Sequence, residues 1–259
     1  MYNPSFDPWP CSDGFFASQG GETHGDDPDR IHGHELPMGD RNQILFGLKF
    51  RDLLRPPYLE VGSREYGRTS TFRNVLPHGR GEYVGVDLAP GDGVDRVIDL
   101  TVDFGEVDRV LPERFNTVFC LSVLEHCLRP HEMAANVQRL LHPGGTLYVS
   151  VPFCWKIHHY PSDYWRFTPD AVKALFPGLD FPADRSAYHS SVDGWFTPGD
   201  EPPPAIDLCF TGARKRFGDF RAFWIAIARR LGLLGPLLRY NYIYPPLQLD
   251  MIGCKCPET

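Results

Sequence analysis

Between Tyr58 and Val151, short apolar runs alternate with segments of helical periodicity, and this alternation constrains the fold more than any other feature. The strand candidates are Tyr58 to Gly62, Tyr83 to Asp87, Arg96 to Asp99, Thr117 to Leu121 and Thr146 to Val151. Helices are predicted over Thr69 to Leu76, Phe104 to Leu111 and His131 to Leu141. Strands this short and apolar, each followed by a helix, imply a parallel sheet covered on both faces. Pro143-Gly144-Gly145 supplies the last turn.

Outside this core the pattern changes. Residues 1 to 40 are rich in Gly, Pro, Asp and Ser and lack a period, so an irregular arm is expected. An amphipathic helix is predicted from Asn42 to Leu54, ended by Pro56-Pro57. Thr168 and Pro169 read as the cap and first residue of a helix running to Phe176, and Asp184 to Val192 as a strand. Gly194 to Pro204 is a connector, Arg214 to Tyr240 looks mainly helical, and Leu247 to Cys254 is the last strand candidate. The expected organisation is an arm (1–40), a core (41–193), an insertion or lid (194–245) and a final core strand (246–256).

Bulk properties narrow the function. A chain of 259 residues with 42% hydrophobic and 23% charged residues can bury one substantial core. Its net charge of −7 argues against nucleic acid, whose binders concentrate Lys and Arg. The seven cysteines include no C-x-x-C pair, which suggests neither a disulfide framework nor a zinc knuckle. There is no basic segment followed by an apolar run at the start, and no apolar stretch of the ~18 residues that a membrane span needs. The cytoplasm is the expected compartment.

The chemistry concentrates at the strand ends. Glu60-Val61-Gly62 closes the first strand on a glycine, and Asp87 closes the second on a carboxylate. A glycine there admits a ligand close to the backbone, and an acid there accepts both hydroxyls of a ribose. Gly62 and Asp87 therefore point to a nucleoside, and the acid at Glu60 favours S-adenosylmethionine over a nicotinamide. Arg64 stands where a dinucleotide fingerprint needs its second glycine, which argues against a dehydrogenase. Asp99-Leu100 ends the third strand, where a carboxylate and the next N–H suit adenine; Asp103 competes for that place. Each acid also has a plainer reading: Glu60 as a surface glutamate on an ordinary turn, Asp87 as a helix cap or turn residue, and Asp99 and Asp103 as surface acids.

Taken in order, Glu60 to Gly67, Asp87, Asp99, Ser122-Val-Leu-Glu-His126 and Leu141-His-Pro-Gly-Gly145 resemble the class I S-adenosylmethionine-dependent methyltransferases, and within them the methyltransferase domain type 11 group. The resemblance spans roughly residues 55 to 176. It implies a Rossmann-like, seven-stranded α/β sheet with helices on both faces. It also implies roles: Gly62 and Ser63 beside the methionine moiety, Asp87 on the ribose, and Leu88 on the adenine face. Asp99 and Leu100 would meet adenine, Leu121 and Ser122 would flank the sulfonium, and Gly67 would stand in for a family glycine displaced by Arg64 and Tyr66.

The segment from His158 to Asp170 resembles an H-x-Y-P-x-D-Y-W-R-F-T-P run of that group and follows the strand that faces the acceptor. His126, His159 and Asp163 are its candidate proton acceptors. Alternatively, Asp163 pairs with Arg166 to fix the loop, and His126 caps a helix. The expected reaction is methyl transfer to a small-molecule acceptor, first an oxygen of a sugar or natural product. Nitrogen or carbon methylation, or a non-catalytic S-adenosylmethionine-binding module, stand as alternatives. His24, His32, His34, His158, His159 and Asp163 show no zinc-type spacing, so no required metal is expected. The apolar insertion leaves room for a homodimer.

Overall fold

A computed structural model describes residues 38–65, 72–159, 161–190, 196–207 and 242–256, together with residues 218–220, 223–224, 226–228 and 230–231. Gly67, the histidines at 24, 32 and 34, and most of the 214–240 segment lie outside the described residues.

The central sheet has nine strands. In chain order its elements are β1 (Tyr58–Val61), β2 (Tyr83–Asp87), β3 (Arg96–Val97), β4 (Phe115–Leu121), β5 (Leu141–Cys154), β6 (Leu179–Asp180), β7 (Ser186–His189) and β8 (Phe196–Pro198). A two-stranded sheet of β9 (Ile206–Asp207) and β10 (Tyr242–Ile243) follows, and β11 (Leu247–Lys255) returns to the main sheet. The spatial order is β3-β2-β1-β4-β5-β11-β7-β8, with β6 also paired to β11. From β3 to β5 all pairings are parallel, whereas β11 runs antiparallel to both β5 and β7. The expected seven-stranded Rossmann-like sheet is present, extended by β8 at its edge and by the short β6.

Four α-helices are described: α1 (Met38–Lys49), α2 (Phe104–Val110), α3 (Pro130–Leu140) and α4 (Pro169–Leu175). On α3, Met133, Ala134, Val137 and Leu140 are buried, the spacing of one helical face. Its Asn136 is buried too, and its amide donates to the carbonyls of Leu100 and Val102, both at 2.8 Å. Thr168 caps α4 as expected, its hydroxyl accepting from the Ala171 amide at 3.2 Å with Pro169 next. Asp103 caps α2, accepting from the Gly105 amide at 2.8 Å. From the sequence Asp103 reads as a competitor for adenine or a surface acid, and the cap gives it a local structural role.

Several predicted elements differ: the first helix ends at Lys49 and a 3-10 turn, Arg51–Leu53, follows it; β5 begins at Leu141 and takes in Pro143-Gly144-Gly145; and β7 starts only at Ser186, after a 3-10 turn. Over residues 72–76 of the helix predicted from Thr69 to Leu76, only a 3-10 turn, Phe72–Asn74, forms. Phe72 plunges into the core and stacks on Phe119, ring centroids 4.6 Å apart, and Pro77 ends the segment after that single turn. This tertiary contact overrides the local period. Gly47 of α1 sits directly over the same ring; a Cβ there would lie 2.4 Å from Phe72 Cζ, so the helix approaches this closely only with glycine. The strand predicted over Arg96 to Asp99 stops at Val97, because the Asp99 carboxylate accepts from the Thr101 amide at 2.8 Å and turns the chain.

Candidate active site

The carboxyl ends of β1, β2, β4 and β5 share one edge of the sheet, and nearly all the chemistry-bearing side chains stand there or just beneath it. At the end of β1 the chain turns at Gly62, whose φ is +73°. A side chain there would be strained by backbone and space alike, since its Cβ would lie 2.5 Å from Val123 Cγ2. The amides of Gly62 and Ser63 both donate to the Val86 carbonyl, at 2.8 and 3.1 Å, tying this turn to β2. Ser63 is buried, and its Oγ has no hydrogen-bond partner among the described residues.

Glu60 lies beneath the turn rather than on its rim. It is buried and accepts a hydrogen bond from Tyr83 Oη at 2.9 Å. Burial pushes its carboxyl up to about 7, a rise opposed by the Tyr83 bond and the Arg73 charge. Arg73 covers the Tyr83 ring at 4.7 Å and pairs with Asp95, which in turn accepts from the Gly85 amide. A carboxyl raised in the folded state binds its proton more tightly there, so this contribution to stability is complete below pH ~4.5 and fades as pH rises through ~7. We therefore expect the urea midpoint to fall between pH 5 and 8, and Glu60→Gln to flatten that fall by about 3 kcal/mol. An unchanged slope would contradict the burial argument.

Asp87 closes β2 half-buried, with one oxygen accepting from the Ala89 amide at 3.1 Å and the other distantly from the Arg64 amide at 3.4 Å. Those bonds fix its orientation without using up a carboxylate's capacity of about four acceptor sites. The next residue, Leu88, is 65% exposed, an apolar side chain held in solvent beside that acid. Leu100 is buried in the core, so its backbone rather than its side chain is what it can offer a ligand. The Asp99 oxygen that accepts from Thr101 leaves the other for a partner.

At the end of β4, Leu121 is followed by Ser122, a non-glycine residue at φ +53°. Such a conformation costs about 1–3 kcal/mol and persists where surrounding contacts impose it. Here they are explicit. The Ser122 amide donates to the Ser150 carbonyl at 2.8 Å, and its Oγ accepts from Gln43 Nε2 at 3.0 Å and Gln248 Nε2 at 3.1 Å. Gln43 also donates to Ser150 Oγ at 3.0 Å. With both lone pairs engaged, the Ser122 hydroxyl retains its single O–H as a donor. Sequence reasoning missed Gln43, Ser150 and Gln248; the available signal was glutamine at apolar-face positions of a helix and a strand.

Beyond Ser122, the turn Leu124–His126 carries Glu125 and His126. Glu125 is 1% exposed, its Oε2 has no hydrogen-bond partner among the described residues, and burial pushes its carboxyl up to about 8. His126 Nδ1 lies 2.5 Å from the Ser162 carbonyl, and its ring meets that of His158 edge-on at 4.9 Å. Burial lowers the His126 pKa, so the ring is neutral near pH 7.

The loop after β5 is latched onto this turn. The Tyr164 amide donates to the Glu125 carbonyl and Trp165 Nε1 to the Cys127 carbonyl, both at 2.8 Å. Asp163 is the loop's anchor. Arg166 grips both its oxygens, at 2.5 and 2.8 Å, and the His158 amide donates to one at 2.8 Å. The Arg166 guanidinium holds the Asp163 carboxyl far below the usual carboxylate range. His159 is exposed. Leu88, Leu128, Ile157, Tyr164 and Trp165 expose large apolar surface on the loops leaving this edge.

Residues 59–149 match the family described as "Methyltransferase domain". No curated protein matches the chain in sequence. Among solved structures, the chain is similar to a SAM-dependent methyltransferase from Archaeoglobus fulgidus at 14% identity, covering 84% of this chain and 93% of that one with a TM-score of 0.47. It is also similar to 1,6-didemethyltoxoflavin-N1-methyltransferase from Burkholderia thailandensis, with 1,6-didemethyltoxoflavin and S-adenosylhomocysteine bound, at 13% identity, 83% and 76% coverage and a TM-score of 0.45. The adenosyl group fits the residues present: the glycine turn, the orphaned Ser63 hydroxyl and the underused Asp87 carboxylate. No described helix is long and apolar enough to cross a membrane. Residues 59–149 thus carry a match to the methyltransferase domain family, on a sheet edge whose residues fit the adenosyl group of S-adenosylmethionine.

Proposed function

We propose that this chain transfers a methyl group to a hydroxyl of a partly apolar small molecule, such as a natural product or its sugar. The observation that carries this reading is the pairing of a buried polar pole, Glu125 and His126, with an exposed apolar and aromatic rim beside it. Aromatic walls with a few convergent polar groups suit a small acceptor better than a polymer.

When bound, S-adenosylmethionine supplies an activated methyl on a sulfonium. The protein's part is to place the acceptor in line and keep water out. Asp87 holds the ribose, Leu88 covers the adenine, and Asp99 with the backbone at Leu100 meets its edge. Gly62 and Ser63 receive the methionine end. Leu121 and the strained Ser122, braced by the two glutamines, set the position of the reacting centre.

Of the expected proton acceptors, His126 suits the task best. A carbonyl can only accept, so Nδ1 carries the proton towards Ser162 and Nε2 keeps a lone pair. Asp163 serves as a clamp: a carboxylate gripped by arginine is a poor base at neutral pH. His159 stays an unassigned member of the rim.

The test is turnover of labelled donor against pooled hydroxylated sugars and aromatic or polyketide-like metabolites. Label retained in an alkali-stable methyl ether supports oxygen transfer. Label found only on nitrogen or carbon would overturn it.

A further inference from the structure

We propose that Glu125, His126 and His158 form a binding site for a divalent transition-metal cation at the acceptor end of the cleft. Among the described residues, these three offer one ligand atom each, all within 4.8 Å of one another. Ligands on a bound zinc ion stand about 3–3.5 Å apart, so rotation of the histidine side chains is enough to close the set.

Glu125 gives the first independent reason. It is 1% exposed, and its Oε2 is buried without a hydrogen-bond partner among the described residues. Buried polar atoms are nearly always satisfied, and an orphan marks a missing ion or water. The nearby Arg166 does not serve it, because both guanidinium nitrogens that could pair are taken by Asp163 and the carbonyls of Trp155, Lys156 and Trp165.

The second reason is the way the histidines are held. Metal-bound histidines usually rest their other ring nitrogen on a carbonyl or carboxylate, which fixes the tautomer. His126 Nδ1 rests on the Ser162 carbonyl at 2.5 Å, and His158 Nδ1 lies 3.2 Å from Asp163 Oδ2. Both rings therefore present Nε2 as the lone-pair nitrogen. Arg166 fixes Asp163, so the clamp that shapes the loop also aims His158.

Two imidazoles and one carboxylate select manganese, iron, cobalt or zinc over magnesium or calcium, which prefer all-oxygen sets. Three protein ligands leave coordination positions open, and an acceptor hydroxyl could fill one. This inference does not depend on the proposed acceptor chemistry; a cation on His126 Nε2 would occupy the lone pair that the base role uses, so the two are exclusive uses of that atom.

Cobalt(II) titrated into chelator-stripped, tag-free full-length protein should bind one equivalent, with visible absorption bands and an X-ray absorption spectrum showing nitrogen and oxygen ligands only. Zinc should displace it. Glu125→Gln and His158→Asn, checked for folding by circular dichroism, should each weaken cobalt binding roughly 100-fold or more. No stoichiometric binding by the parent protein would overturn the site, as would thiolate bands or affinity unchanged in both variants. Donor binding measured on the same parent sample is a separate readout, so failure of the methyltransfer reading would not be mistaken for failure of the metal site.

Discussion

Asp87→Ala should weaken S-adenosylmethionine binding by roughly 100-fold or more while the protein stays folded. Charge-assisted hydrogen bonds are each worth about 1.5–3 kcal/mol, and a ribose presents two hydroxyls to one carboxylate. Loss of both corresponds to about two decades of affinity or more. The carboxylate also receives the Ala89 amide and, distantly, that of Arg64. Asp87→Asn keeps one oxygen, enough for the Ala89 amide, but loses the charge and the second oxygen, and should cost about tenfold. Calorimetry on the two variants separates ligand contact from turn shape. Parent-like binding by Asp87→Asn beside a large loss in Asp87→Ala would mean that Asp87 acts by shaping the turn.

Asp250→Ala should be the most destabilising single change. Asp250 lies at the centre of β11, fully buried, with His189 Nε2 3.0 Å from its Oδ2. Removing one partner of a buried pair typically costs about 3–5 kcal/mol, because the other is left without compensation. In a domain of this size that is a drop in Tm of about 10 °C. Burial alone would lower the His189 pKa, but the Asp250 carboxylate overrides it and the net shift is upward. The pair's contribution is therefore complete below the ordinary histidine range and is lost as pH rises through the raised value. The cost of Asp250→Asn should accordingly shrink towards alkaline pH. Replacing both residues with apolar ones should recover much of the loss, whereas equal loss in single and double variants would contradict the pairing. The site depends on the same strand: Gln248, two residues before Asp250 on the same face, braces Ser122.

The parallel half of the sheet was legible because strands buried on both faces must be apolar runs, and β1, β2 and β4 are. Caps were legible because they are local, as at Thr168. What failed depended on distant contacts. The helix predicted through Phe72 gives way to the stacking on Phe119. In β11, Gln248 and Asp250 alternate with Leu247, Leu249 and Met251, a pattern that normally puts the polar face in water. Here all five are buried; Gln248 donates to the Ser122 hydroxyl after β4, and β7 supplies His189 to Asp250. Likewise, nothing local distinguishes Asp163 as an anchor from Asp163 as a base. That distinction needed the position of Arg166, only three residues away but folded back onto it. Gly67, the stand-in for a family glycine, lies outside the described residues.

A crystal structure with S-adenosylhomocysteine tests the central claim most directly. The account predicts the ribose hydroxyls within hydrogen-bond distance of Asp87, adenine against Leu88, and the sulfur beside Ser122 and the Gly62 turn. Density at another edge of the sheet, or none at saturating ligand, would contradict it.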